Sequence, residues 1–242
     1  MGYLDEGPHE VEVERIGVRA ADGVTVPAIH ARPLGLPRRG LVLHPDIMGI
    51  RPLFDEICRR LATHGLAVCC PEPFARVDGY ELLDAPARMS RVAQLVDATQ
   101  LGDLVAAADR LVVADDVREV AVAGFCMGGM YTLKAAADGR FDRAVAFYGM
   151  IRLPEGWRGP HQQEPLDVVA RACPTLAILG GADPFTPPAD VDALRRAWAQ
   201  RPDCEVVVYE GAEHGFVHDP DRPAHRPDAA ADAWRRALAF LG

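Results

Sequence analysis

The stretch Val120-Ala-Val-Ala-Gly-Phe-Cys-Met-Gly-Gly129 constrains this chain more than any other. Val120 to Ala123 is an apolar run of the kind that forms a buried strand, and Met130 to Ala137 has helical composition. Between them stands Gly124-Phe-Cys-Met-Gly128. Strand, G-x-C-x-G, helix is the pattern of a tight elbow that lifts a nucleophile out of a sheet, here with cysteine at its tip. So sharp a bend leaves no room for bulky side chains two residues either side of Cys126. Gly124 and Gly128 meet that demand, and Gly129 lets the helix lie close to the sheet. At a helix N-terminus, the dipole and the free N–H groups favour a thiolate or an oxyanion. The plainer alternative is a glycine-rich turn around an inert thiol, and the rest of the chain decides between them.

Taken in order, the chain alternates strand and helix. Val11–Val18 alternates apolar and polar residues, Asp22-Gly23 marks a turn, and Val24–Ala31 returns as an antiparallel partner. Gly40–His44 and Leu66–Cys70 are short buried strands flanking a helical pattern from Pro52 to His64, a βαβ unit in which the sheet turns parallel. Glu72–Ala87 reads as loop, and a long helical pattern runs from roughly Arg88 to Val113. Beyond the elbow come strands at Ala144–Tyr148, Thr175–Leu179 and Glu205–Tyr209, a helix over Val191–Gln200 and an amphipathic helix over Asp228–Leu241. Gly149 to about Asp167 is rich in Pro and Gly without period, a length of irregular chain that points to a pocket-lining role. No repeat, linker or break in composition divides the 242 residues, so the expectation is one α/β domain over 1–242. Its sheet should be mostly parallel and twisted, with an antiparallel N-terminal edge and helices on both faces.

A net charge of −9 and the lack of a basic stripe argue against nucleic acid as a partner. No apolar run approaches transmembrane length, and the acidic N-terminus has no signal-peptide core, so a reduced, cytoplasmic setting without membrane association is expected. Among the six cysteines no C-x-x-C pair occurs, which weakens metal and redox-motif readings. Cys69, Cys70, Cys173 and Cys204 lie in or beside strand-like runs, where a thiol packs as a small hydrophobe.

A thiol nucleophile for acyl transfer needs a base, a group that orients the base, and donors for the oxyanion. Open α/β sheets place such groups at the C-terminal ends of parallel strands. Asp183 follows the strand Thr175–Leu179, and His214 follows Glu205–Tyr209. Nucleophile, acid, histidine is the chain order of the α/β-hydrolases.

With these residues in view, the chain resembles the dienelactone hydrolase family from its first hairpin to its last helix. Gly124-Phe-Cys-Met-Gly-Gly129 matches that family's elbow, Gly180-Gly-Ala-Asp-Pro-Phe-Thr-Pro187 its acid loop, and Ala212-Glu-His-Gly-Phe216 its histidine loop. The resemblance implies an α/β-hydrolase fold, Cys126 as nucleophile, His214 as base and Asp183 as its orienting acid. It implies the backbone N–H groups of Ile47 and Met127 as oxyanion donors. It also implies a carboxylate that holds the resting thiol, and there the chain departs from the family by carrying Asp46 for glutamate. A second departure is His218, which stands where dienelactone hydrolase has a substrate-binding arginine. Arg88 and Arg91 are candidates for the other family arginine, and Arg51 beside the oxyanion loop is a further cation for a substrate carboxylate.

The expected activity is hydrolysis of a small-molecule lactone or activated ester through an acyl-cysteine, with no cofactor and no metal, by a monomer or homodimer. A thiolate is also a good leaving group, so the tetrahedral intermediate moves forward only when the departing oxygen is stabilised, as in an enolate. Three alternatives differ in what they require. A glutamine amidotransferase pairs its histidine with an acid two residues on, where this chain has Phe216. A metal site at His214, His218 and His225 would have to form in a loop with two intervening prolines. A non-catalytic ligand-binding protein or thiol sensor needs no histidine–acid pair.

Overall fold

Nine residues of alternating polarity, Val11–Arg19 (β1), pair antiparallel with Thr25–Pro33 (β2) around the turn at Asp22 and Gly23. Gly23 takes φ +86°, and the Asp22 carboxylate accepts the Val24 N–H at 3.1 Å. The computed structural model describes residues 4–242, and the part of the N-terminal reading that falls on Met1, Gly2 and Tyr3 lies outside the described residues. The chain falls into two compact units, one of Glu6–Ala121 with Pro154–Gln163, the other centred on Val122–Leu153 and Glu164–Gly242.

In the first unit β2 pairs antiparallel with Leu66–Pro71 (β4), which pairs parallel with Arg39–His44 (β3). The antiparallel N-terminal edge and the turn to parallel pairing are both present. Every residue of β3 and β4 is buried, as suits apolar runs covered on both faces. Helices Pro52–Thr63 (α1) and Asp97–Asp115 (α3) pack on these strands. The single helix expected from Arg88 to Val113 is instead two. Ala85–Arg91 (α2) gives way to a 3₁₀ turn at Val92–Gln94 before α3 begins. The cause is tertiary: the Gln162 amide donates to the Val92 and Leu95 carbonyls, and Asp97 N–H donates to His161 O at 3.1 Å. The irregular stretch after Gly149 thus supplies, in part, the polar partners that interrupt a helical pattern.

The second unit is wholly parallel. From Val122 onward Val120–Phe125 (β5) pairs with Ala144–Phe147 (β6), β6 with Thr175–Gly180 (β7), and β7 with Cys204–Tyr209 (β8). Helices Met127–Ala135 (α4), Pro188–Ala197 (α5) and Pro227–Leu241 (α6) accompany them, α4 starting three residues earlier than its composition suggests. Leu133, Ile151, Leu179, Leu194 and Trp198 form a buried cluster between the strands and helices. Among the described residues no helix is long and apolar enough to cross a membrane.

Candidate active site

Cys126 stands between β5 and α4 with φ +57° and ψ −117°, a backbone conformation that costs a non-glycine residue about 1–3 kcal/mol. The surroundings hold it there. Its N–H donates to Phe147 O at 3.0 Å, and its carbonyl accepts the Met130 N–H at 3.0 Å. A Cβ on Gly124 would stand 2.4 Å from Gly128 O, and one on Gly129 would stand 2.6 Å from Phe147 O. These glycines are therefore required by the closeness of the bend. Met127 opens α4, so its N–H has no preceding acceptor within the helix and suits an oxyanion.

Asp183 and His214 arrive from the ends of β7 and β8. Gly180 brings the two loops together, since a Cβ there would lie 2.4 Å from Ala212 O. The Ala182 N–H completes the contact by donating to that same carbonyl at 2.9 Å. Asp183 is buried; one carboxylate oxygen accepts the Phe185 N–H at 2.8 Å and the other meets His214 Nδ1 at 2.8 Å. With Nδ1–H donating to the carboxylate, Nε2 is the basic nitrogen. It is buried without a hydrogen bond of ordinary geometry, and the Cys126 sulfur lies beside the ring. Burial works to lower the histidine's proton affinity, but the bonds to Asp183 and Cys126 outweigh it and lift the pKa from 6.5 to about 9. Cys126, His214 and Asp183, from three strand ends, thus share one site in one unit.

The other thiols are differently placed. Cys58, Cys69 and Cys70 are buried, and burial pushes Cys69 and Cys70 upward. Cys173 and Cys204 are half-buried, Cys173 raised to about 11.

Residues 26–242 match the dienelactone hydrolase family. The chain belongs to that family. A relative in Escherichia coli strain K12, provisionally named carboxymethylenebutenolidase, is 34% identical over 231 residues, covering 91% of this chain and 83% of that protein. The carboxymethylenebutenolidase of Pseudomonas putida is 28% identical over 236 residues, covering 94% and 95%. A crystal structure of a provisionally named dienelactone hydrolase from Klebsiella pneumoniae superposes with a TM-score of 0.87 at 29% identity, over 96% of this chain and 98% of that one. The fold is the α/β-hydrolase fold, and this member of the dienelactone hydrolase family is a hydrolase of carboxylic ester bonds.

The other candidates named from the sequence are engaged in bonds and packing of their own or lie exposed. Asp46 is buried and gripped by Arg51 through two bonds of 2.7 and 2.8 Å, while its Oδ1 also accepts the Met48 N–H at 2.9 Å. Arg51 is correspondingly committed, donating also to Gly49 O at 3.3 Å and lying 5.0 Å over the Phe54 ring. Ile47 sits at the first corner of the turn closed by Gly49 N–H on Asp46 O at 3.0 Å. Arg88 is buried against Glu72 at 2.9 Å, and Arg91 is exposed near the end of α2. His218 is fully buried, stacked on Phe125 at 4.8 Å with Nδ1 against the Tyr148 hydroxyl. His218 is thus a core ring, and Arg88 is paired with Glu72. Phe216 packs against Tyr148 and Tyr209, and the acid on His214 is Asp183.

Sequence reasoning missed Tyr148 and Phe185, whose rings stand edge-on to His214 at 5.2 and 4.9 Å. It also missed Glu72, whose Oε2 accepts the Ile50 N–H at 2.8 Å and so ties down the loop that carries Ile47. Tyr148 and Glu72 both directly follow strand ends, the position where the α/β rule looks for site residues.

Proposed function

We propose that this enzyme opens a small lactone or cleaves an enol or aryl ester through an acyl-cysteine. The observation that carries the reading is the buried Nε2 of His214 beside Cys126, on an elbow whose strain the surrounding hydrogen bonds hold. Cys126 passes its proton to His214 and its sulfur bonds to the carbonyl carbon. The oxyanion is held by the Met127 N–H and, by the family resemblance, by the Ile47 N–H. The C–O bond breaks as His214 returns the proton to the departing enolate or aryloxide. Water then gives a proton to His214 and attacks the thioester, and the acid leaves as the thiolate is restored. A cytoplasmic setting accords with six free thiols, since reducing compartments keep cysteines unpaired.

The test is Cys126→Ala. Hydrolysis of an aryl ester should fall by roughly 10³- to 10⁶-fold with the fold intact by circular dichroism. Mass spectrometry of the wild-type enzyme with a slow substrate should find the acyl group on Cys126. Near-normal turnover by the alanine variant would reject the cysteine mechanism. A thiol sensor would instead show peroxide-sensitive Cys126 and no esterase activity in the wild type.

A further inference from the structure

Cys126, Tyr148 and Asp116 are the non-glycine residues with positive φ among the described residues. The elbow accounts for Cys126, and Asp116 follows the end of α3 in a left-handed conformation that short polar residues tolerate. Tyr148 is a bulky residue held at φ +36° with its side chain wholly buried, a strain of about 1–3 kcal/mol that needs a reason.

Its surroundings supply one. The Tyr148 N–H donates to Ile178 O at 2.7 Å, and the carbonyl just before it accepts the Cys126 N–H at 3.0 Å. Its ring stands edge-on to His214 at 5.2 Å and 69°. Its hydroxyl meets Nδ1 of the buried His218, whose ring stacks on Phe125 at 4.8 Å and 19°. Phe125 immediately precedes the nucleophile. Contacts thus run from the elbow through Phe125, His218 and Tyr148 to the base, and from the base back to Cys126.

We propose that Tyr148 and His218 form a positioning pair that fixes the ring plane of His214, so that Nε2 is presented to the nucleophile. The single bond from Asp183 to Nδ1 holds one end of the imidazole but leaves rotation about that axis. Two edge-on rings remove it. Phe185 is 42% exposed, so it is the yielding wall, and Tyr148, anchored at its hydroxyl, is the rigid one. The titratable groups against the ring are Asp183, Cys126 and Tyr148; His218 lies behind Tyr148, and Arg222 lies against neighbouring Gly215.

The inference rests on His214 as the base, and its test can be read apart from the nucleophile. Tyr148→Phe keeps the ring and removes its anchor, while His218→Phe keeps the stack on Phe125 and removes the bond. Each should lower kcat by roughly 10- to 100-fold per alkylatable Cys126, with KM little changed. Each should also move the His214 titration, followed by ring ¹⁵N shifts, down toward the ordinary histidine value. The double variant should be no worse than either single one, and His218→Gln, whose amide can still meet the hydroxyl, should recover most of the loss. Folded single variants with unchanged kcat and an unmoved His214 titration would overturn the proposal, as would losses that add in the double variant. Should Cys126→Ala remain active, the cysteine mechanism fails, yet the shift of the His214 titration still decides the positioning role.

Discussion

His44 ends β3 with its side chain almost wholly buried, Nδ1 donating to Pro45 O at 2.9 Å and Gln100 bonded to the ring. Burial pushes its pKa down from 6.5 to about 4, against the raising effects of Pro45, Gln100 and the nearby Asp46. The folded protein therefore keeps a neutral imidazole where the unfolded chain takes up a proton. Stability is fully present above about pH 6.5 and is lost as pH falls toward 4. Between 6.5 and about 4 the loss comes to about 3 kcal/mol when complete. At about pH 5 the loss from this one group is about 2 kcal/mol. His44→Gln removes the titration while keeping hydrogen-bonding capacity. Urea unfolding at about pH 7 and about pH 5 should show the wild type losing about 2 kcal/mol more than the variant between the two conditions. His30 and His214, whose pKa values are raised, push the other way, but they are common to both proteins and cancel in the comparison. Equal losses in the two proteins, with equal m-values, would refute the reasoning.

Asp183→Asn should cut turnover by roughly 10⁴-fold, because the amide no longer selects the Nδ1–H tautomer. Since His214 is raised to about 9, the stability it draws from Asp183 is complete below about 6.5 and lost as pH rises through 9. Thermal melts should therefore show a gap between wild type and Asp183→Asn that is widest in acid and closes above about pH 9; a gap that widens with pH would contradict the pairing. Glu72→Gln leaves Arg88 buried without its counter-charge and weakens the hold on Ile50 and Phe74, so unfolding free energy should fall by about 3–5 kcal/mol, and a loss below about 1 kcal/mol would show the pair to be replaceable.

The elbow was readable because its geometry is local: Gly124, Cys126 and Gly129 answer to the backbone atoms of one bend. Asp183 and His214 were readable because parallel topology brings successive strand ends together, and their 2.8 Å contact lies there. The split between α2 and α3 was not readable, since Val92–Val96 carries no strong breaker and the interruption comes from Gln162 and His161, far along the chain. Nor was the fate of His218. A histidine four residues beyond His214 falls in a loop of the sequence, and only the placement of Phe125 and Tyr148 turns it into a core ring. Polar residues whose role depends on distant partners are where the sequence pattern stops being informative.

The same partners bear on substrate charge. Of the cations considered for a substrate carboxylate, Arg51 is closed by Asp46 through both oxygens, Arg88 is buried on Glu72, and His218 is committed to Tyr148. An anionic substrate could use Arg51 only by displacing a buried carboxylate that also holds the Met48 N–H, and Asp46 would then be left to find another partner for its charge. In this chain the Asp46 carboxylate is taken up by an arginine five residues on. A neutral substrate makes no claim on this pair, so a neutral aryl ester should be turned over at least as well as its carboxylated counterpart, and a clear preference for the carboxylated one would refute this. On the mechanism proposed for Cys126 and His214, a stabilised leaving group is needed in either case.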